Sequence, residues 1–242
     1  MKALILNSGL GSRMGALTAE HPKCMTEILP GETILRRQLK LLAEAGIGDV
    51  VITTGYYDEV LIRYCGSLGL PLRFTFVKNP IYDRTNYIYS IYCAREHLDD
   101  DLVLMHGDLV FEKEVLEKAL ACETSCMTVS STLPLPEKDF KARVSGGKVL
   151  AVGVDIFDDA MEAQALYKLN RKDWRVWLDR IAEFCENGNT KVYAENALNS
   201  LDGAANIAAL DVRDLLCAEV DNPEDLAAVS ARLREIEGRT EE

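Results

Sequence analysis

The first stretch with chemistry in it is Asn7-Ser8-Gly9-Leu10-Gly11-Ser12-Arg13, directly behind the apolar run Ala3–Leu6. Glycines carry no Cβ, so backbone N–H groups can approach phosphate oxygens, and Arg13 adds a charged fork for the same oxygens. The loop matches neither of two familiar phosphate loops. No Lys followed by Ser or Thr closes it, as a P-loop requires, and Met14 stands where the dinucleotide fingerprint needs a small residue. Beyond the loop, Pro22 fixes the chain just before Lys23, a second basic group. Two acidic positions follow far downstream: Asp108 behind the run Leu102–Met105, and Glu219 with Asp221 near the end. Residues two apart on a strand share a face, so Glu219 and Asp221 are expected to point the same way. Carboxylates brought together at strand ends are what a divalent cation needs.

These groups need a scaffold, and hydrophobic patterning supplies one. Ala3–Leu6, Val50–Thr54, Leu72–Val77 and Leu102–Met105 read as strands. Between and after them, Thr33–Ala45 (stopped by Gly46), a helix capped by Asp58 and running through Cys65, Asn86–His97 and Glu112–Ala121 read as helices. Such alternation predicts a parallel sheet with helices on both faces, with ligands at the carboxyl ends of the strands. The loops after Leu6, Thr54 and Met105 would then share one crevice. The second half is less regular. Ser125–Thr132 reads as a strand, and Lys141–Val144 and Lys148–Asp155 form a hairpin around Gly146-Gly147. Asp173–Asn187 is an amphipathic helix with Trp177, Ile181 and Phe184 inward, and Ala194–Leu201 is another helix. Leu215–Val220 is a late strand, and Pro223 opens a C-terminal helix. The polar tail from Gly238 is expected to fray.

Composition narrows the partners. The 242 residues carry a net charge of −12, which leaves no basic footprint for nucleic acid and no attraction to anionic membranes. Solubility accounts for most of this acidity, although it also suits a cationic acceptor. The cysteines number 7, odd and scattered, and are expected to be reduced; Cys122 and Cys126 are too isolated for a zinc site of about four ligands. Ala3–Leu6 is too short for a signal peptide, and no stretch approaches the roughly 18 apolar residues of a membrane span. A cytoplasmic monomer or homodimer is expected.

An apolar strand, then Gly9 and Gly11 ahead of Arg13, then Pro22-Lys23 resembles the opening of the large nucleotidyltransferase family that activates sugar phosphates and aminoalcohol phosphates. Leu6-Asn7-Ser8-Gly9 stands where that family typically begins Leu-Ala-Ala-Gly or Leu-Ala-Gly-Gly. The resemblance continues at Gly107-Asp108, where the family carries a metal-binding Asp behind a strand. It continues again at Glu219-Val220-Asp221, where the family uses an acidic-x-Asp segment for the second metal contact. Gly55-Tyr56 resembles a pair that related enzymes place beside the nucleotide. Thr85–Tyr92 is similar to a segment of the bacterial phosphocholine and 2-aminoethylphosphonate cytidylyltransferases that approaches base and ribose. Thr85 and Asn86 supply short donors and acceptors suited to a pyrimidine edge. The likeness is loose from Pro134 to Leu201.

The resemblance implies an α/β fold: a Rossmann-like mixed, mostly parallel sheet with helices on both faces. One nucleotidyltransferase domain would span 1–242, with 134–201 as a less regular acceptor-binding insert. It implies that Leu6, Asn7, Ser8, Gly9, Gly11, Gly55, Tyr56, Thr85, Asn86 and Ser90 bind nucleotide. Lys23 and Arg13 would act on the phosphates, and Asp108, Glu219 and Asp221 would hold Mg²⁺. The implied reaction is in-line attack by an acceptor phosphate oxygen on the α-phosphorus of CTP, with pyrophosphate leaving. It is mainly positioning and charge neutralisation. Tyr167, Lys168, Trp174, Tyr193 and Glu195 are the acceptor candidates, because a quaternary ammonium favours aromatic faces and carboxylates; packing of the insert explains the aromatics equally well. Lys141 is a further basic candidate. Phosphocholine is the favoured acceptor, giving CDP-choline; 2-aminoethylphosphonate comes second and a sugar 1-phosphate third. A non-catalytic nucleotide sensor on the same fold is the reading from a different class, and the retained Lys23, Asp108 and Asp221 weigh against it. Met14 weighs against a Rossmann-type oxidoreductase.

Overall fold

The architecture is that of a computed structural model, which describes residues 1–9 and 11–240. Leu10 of the phosphate loop and the last two residues of the polar tail lie outside the described residues. β1 (Lys2–Asn7) leads into two tight helical turns, Ser12–Thr18 and Lys23–Met25, and a small hairpin of β2 (Glu27–Leu29) and β3 (Glu32–Thr33). α1 (Ile34–Glu44) begins where the Thr33 hydroxyl accepts a hydrogen bond from the Arg36 N–H at 3.1 Å. Then come β4 (Asp49–Thr54), α2 (Asp58–Ser67), β5 (Arg73–Lys78), α3 (Tyr87–Ala94) and β6 (Leu102–His106). The second half holds β7 (Leu109–Phe111), α4 (Lys113–Ala121), β8 (Ser125–Ser130), β9 (Lys141–Ser145), β10 (Lys148–Gly153), β11 (Ala160–Leu169), α5 (Arg171–Glu186), α6 (Ala194–Asn199), β12 (Ile207–Asp211), β13 (Cys217–Glu219) and α7 (Pro223–Thr240).

One nine-stranded sheet organises the chain, in the order β5-β4-β1-β6-β11-β8-β12-β10-β9. The first four strands are parallel, with Ile5 of β1 opposite both Ile52 and Met105. β11 then enters antiparallel between β6 and β8, and also pairs with β9. The sheet is therefore mixed, with a parallel half and a half in which antiparallel pairs prevail. Alternate residues of the central strands feed opposite layers. Leu4, Leu6, Leu102 and Leu104 pack with Ile88, Ile91, Trp174 and Trp177 on one face. Ala3, Ile5, Val103 and Met105 pack with Leu35, Leu39, Val115 and Leu116 on the other. Each buried Leu, Ile, Val or Met among them contributes about 1.5–3 kcal/mol by leaving water. Met14 is buried in a third cluster with Ile28, Ile34, Val110 and Leu233, so it anchors the segment behind the glycine loop to α7.

Several elements differ from the sequence reading. β11 and β12 form where no strand was expected, and the short β2, β3 and β7 are likewise additional. Asp58 is not the cap of α2: Tyr57 holds that position, and the Asp58 carboxylate accepts from the Thr54 hydroxyl at 2.6 Å. α3 ends at Ala94 and tightens into a single turn over Arg95–His97. The backbone from Gly238 continues α7 to Thr240 instead of fraying.

Candidate active site

The carboxyl ends of β1, β4 and β6 meet in close backbone contact. A Cβ on Gly107 would run into the Asn7 side chain and the Leu6 carbonyl, and one on Gly55 into the Ser8 carbonyl. Only glycine allows such approach. The start of the phosphate loop is thus gripped between the two neighbouring strand ends.

A charged cluster stands over this junction. Lys23 Nζ lies between Asp108 and Asp221, in ion-pair contact with both and 2.6 Å from Asp221 Oδ1. Arg13 reaches the same Asp221 oxygen at 2.9 Å from an exposed position. Burial works against the Lys23 ammonium, but Asp108 and then Asp221 outweigh it and hold its pKa above the usual lysine value. Burial likewise opposes the Asp108 carboxylate, yet Lys23 and His106 keep it below the ordinary range. Glu219 goes elsewhere: its Oε1 is 2.7 Å from His106 Nδ1. Burial and the Asp108 charge push the Glu219 carboxyl up against the pull of His106. Burial opposes charging of His106, but Glu219, Asp108 and Glu195 carry its pKa to about 9. Glu219 and Asp221 therefore serve different partners. His106, Asp108 and Glu219 still bring potential ligand atoms within 4.8 Å of one another.

The donor set fits a hard divalent cation. Asp108 Oδ1 is buried and has no protein partner, and the carboxylates of Glu219 and Asp221 stand nearby. Oxygen ligands of this kind suit Mg²⁺. Asn7 Nδ2, Ser8 Oγ and His106 Nε2 are also buried without partners. Buried polar groups are normally satisfied, so their concentration around one junction marks a place for a polar ligand.

Three adjoining cavities border this cluster, and a fourth continues from the third. The first, about 290 Å³, is lined by Asn7, Gly9, Gly11, Arg13, Lys23 and Asp108. The second, about 370 Å³, is lined by Ser8, Tyr82, Thr85, Asn86, Ser90 and His106. Leu6 and Gly9 border both. Asn86 caps α3 through its side-chain oxygen, 2.7 Å from the Tyr87 N–H. Asn79, absent from the sequence reading, donates to Thr85 Oγ1 and Ser90 Oγ, each at 3.0 Å, and so shapes this segment. Its only sequence signal was the Asn79-Pro80 turn behind a strand. Gly55 and Tyr56 line none of the four cavities; Gly55 packs on Ser8, Tyr56 is exposed, and Tyr82 stands at the second cavity instead.

The third cavity, about 280 Å³, touches Arg13, Asp108 and Asp221 on one side and Tyr87, Phe140 and Tyr193 on the other. The Tyr193 ring is 5.9 Å from Tyr87 and 4.9 Å from Phe140, centroid to centroid. The fourth, about 460 Å³, continues past Phe140 and Tyr193 to Asp155 and Glu195. Tyr193 and Glu195 thus border these cavities, but three other acceptor candidates do not. Tyr167 is fully buried in β11. Lys168 is buried and donates to the Cys122 carbonyl at 2.9 Å and Asn170 Oδ1 at 2.7 Å. Trp174 is core, its indole N–H donating to the Leu98 carbonyl at 3.0 Å. Lys141 is also buried, donating to the Pro136 and Asp139 carbonyls. Tyr87, Phe140 and His106 take the places that sequence reasoning gave to others. His106 had one signal, a residue two before Asp108 on the same strand end.

Fold and cleft together set a glycine-lined loop and a Lys between two carboxylates at the carboxyl end of the parallel strands, with further cavities beyond them. The family model of the MobA-like NTP transferase domain matches residues 3–134. The chain belongs to that family. It is 32% identical to CMP-5'-(3-aminopropyl)phosphonate synthase of Streptomyces rubellomurinus over 93% of this chain and 37% of that protein. It is 30% identical to CTP:phosphoglutamine cytidylyltransferase of Campylobacter jejuni over 50% of this chain and 48% of that one. The chain thus spans half or less of the length of these curated relatives. The solved CTP:phosphocholine cytidylyltransferase of Streptococcus pneumoniae superposes with a TM-score of 0.74 at 19% identity, over 96% of this chain and 98% of that one, a likeness of fold. No helix among the described residues is long and apolar enough to cross a membrane.

Proposed function

We propose that the protein transfers CMP from CTP to a small acceptor that carries a phosphate or phosphonate and a positively charged amine, releasing pyrophosphate. The observation that carries this reading is the continuity of the cleft. It runs from the phosphate loop, past Lys23, Asp108 and Asp221, into a cavity walled by Tyr87, Phe140 and Tyr193. Aromatic faces attract an ammonium group. Two relatives named for cytidylyl transfer to amine-bearing acceptors and a structural neighbour named for phosphocholine support cytosine and an amine. Phosphocholine and 2-aminoethylphosphonate are the two leading acceptors. The alignment of 93% of this chain with an aminoalkylphosphonate enzyme supports the phosphonate, and a structural neighbour named for phosphocholine supports the other.

The chain's own groups divide the work. The backbone at Gly9 and Gly11, with Arg13, holds the β- and γ-phosphates. Lys23 stabilises charge building on the α-phosphate as the acceptor oxygen bonds to phosphorus and the bond to pyrophosphate breaks. The nucleophile is already an anion, so no side chain need take a proton. Asn86, Thr85 and Ser8 face the base and ribose. Asp108 and Asp221, with Glu219 beside them, would hold Mg²⁺, which when bound screens the repulsion between the two phosphorylated substrates. A cytosolic protein without nucleic-acid or membrane partners fits the acidic composition.

The test is pyrophosphate release with Mg²⁺, each NTP in turn, and phosphocholine, 2-aminoethylphosphonate and sugar phosphates as acceptors. Release with CTP and either amine-bearing acceptor is expected. Release only with a sugar phosphate overturns the acceptor assignment, and none with any pair returns the protein to the nucleotide-sensor reading.

A further inference from the structure

Glu195 lies in the first turn of α6 and is 1% exposed. Its carboxylate accepts hydrogen bonds from the Tyr87 and Tyr167 hydroxyls, the latter at 2.9 Å. Among the described residues those phenols are its side-chain partners, and it forms no ion pair. A buried carboxylate is costly unless a cation compensates it. Two phenols satisfy its oxygens; His106, whose charged form it helps to hold, is bonded to Glu219, so no cation is paired with Glu195 directly. The fourth cavity borders Glu195, and the Tyr87 ring that it holds lines the second and third. Tyr193, two residues before Glu195, forms the rest of this wall with Phe140. Negative charge thus sits at the hydroxyl edge of an aromatic wall, where the low dielectric strengthens its reach.

We infer that Glu195 is the specificity-determining residue that selects a positively charged acceptor, as a buried countercharge acting across the Tyr87 ring. This rests on the reading of the site as one that serves a phosphorylated or phosphonylated amine. It goes further by assigning the choice to charge and not to directed hydrogen bonds. Primary and quaternary ammonium groups are then both accepted, and neutral molecules of the same shape are refused.

The test compares pairs that differ only in charge. Phosphocholine is set against its neutral isostere with carbon in place of nitrogen, and 2-aminoethylphosphonate against propylphosphonate. In the native protein KM should favour the charged member by about tenfold, the scale of a desolvated cation on an aromatic face. Glu195→Gln keeps the shape and removes the charge. It should bring the ratio close to unity by raising KM for the charged acceptors alone, with KM for CTP unmoved. Glu195→Asp should keep the preference. A preference that survives Glu195→Gln, or an equal loss for charged and neutral acceptors, overturns the assignment. If Glu195→Gln does not fold, Tyr167→Phe removes a hydrogen bond and keeps the charge, so loss of preference there also overturns it. If the native protein releases no pyrophosphate with any acceptor, the transfer reading fails. Choline and its carbon isostere are then titrated calorimetrically into protein loaded with Mg²⁺ and CTP. Choline-selective binding that disappears in Glu195→Gln upholds Glu195 as selector, and no choline binding overturns it.

Discussion

Glu162 offers a stability measurement whose sign and size follow from its surroundings. It sits in β11, buried, with Gln164 donating to Oε1 and with Oε2 lacking any protein partner. Burial, aided by the charges of Asp139 and Glu219, pushes its carboxyl from 4.5 up to about 7. The folded state therefore keeps a proton that the unfolded chain has already released between those values. Stability supplied by the protonated carboxyl is fully present below the unfolded pKa and is lost as pH rises through the folded one. At about 1.4 kcal/mol per pKa unit, the gap amounts to about 3 kcal/mol. Glu162→Gln keeps the shape and cannot ionise. Urea midpoints of the native protein and the variant, taken at about pH 4 and about pH 8, cancel every other titrating group. The variant should gain about 3 kcal/mol relative to the native chain between the two conditions. A difference that does not change with pH would refute the account of Glu162 as a carboxyl forced toward neutrality by burial.

Other perturbations probe the cleft. Lys23→Met should cut turnover by about a hundredfold or more. It should also lower the melting temperature, because Asp108 and Asp221 lose their shared ammonium. Millimolar Mg²⁺ should restore part of the melting temperature and none of the turnover, so near-native turnover in this variant would remove Lys23 from the mechanism. Phe140→Ala should raise the acceptor KM severalfold and leave that of CTP alone; a matching rise in both would take Phe140 out of the acceptor wall. Trp174→Ala should cost about 3–5 kcal/mol in urea unfolding. The molecules that remain folded should show an unchanged acceptor KM, since Trp174 packs in the core.

The parallel half of the sheet was legible because its strands are apolar or β-branched runs followed by loop signals. Ala3–Leu6 and Leu102–Met105 have no other reasonable state, and glycines mark their exits. β11 was not legible. Its sequence, Ala160 to Leu169, interrupts an apolar run with Glu162, Gln164 and Lys168, all buried by tertiary partners. β12 hides for the opposite reason: Ala208 and Ala209 are too small to signal a strand. At the site, the spacing of Gly9, Arg13 and Lys23 was readable along one segment. The split of Glu219 from Asp221 was not, since it depends on His106 reaching across from β6. Of the proposed acceptor wall, Tyr193 was legible, while Tyr87 and Phe140 were not, for a related reason. Burial decides whether an aromatic packs or recognises, and periodicity does not distinguish Trp174 from Tyr193.

β11 pairs with β6, β8 and β9, so it stitches the parallel half of the sheet to the rest. For anyone seeking to transplant acceptor preference between relatives, this strand makes the middle of the chain a poor cassette. Excising it would open the sheet beside Asp108 and strand Tyr167 from Glu195. The exchangeable parts are the loops around Asp139–Phe140 and Asp155, beside β9 and β10, and the α5–α6 connection at Lys191–Tyr193. New specificities are therefore expected to arise by rewriting those loops on a fixed frame, one side chain at a time.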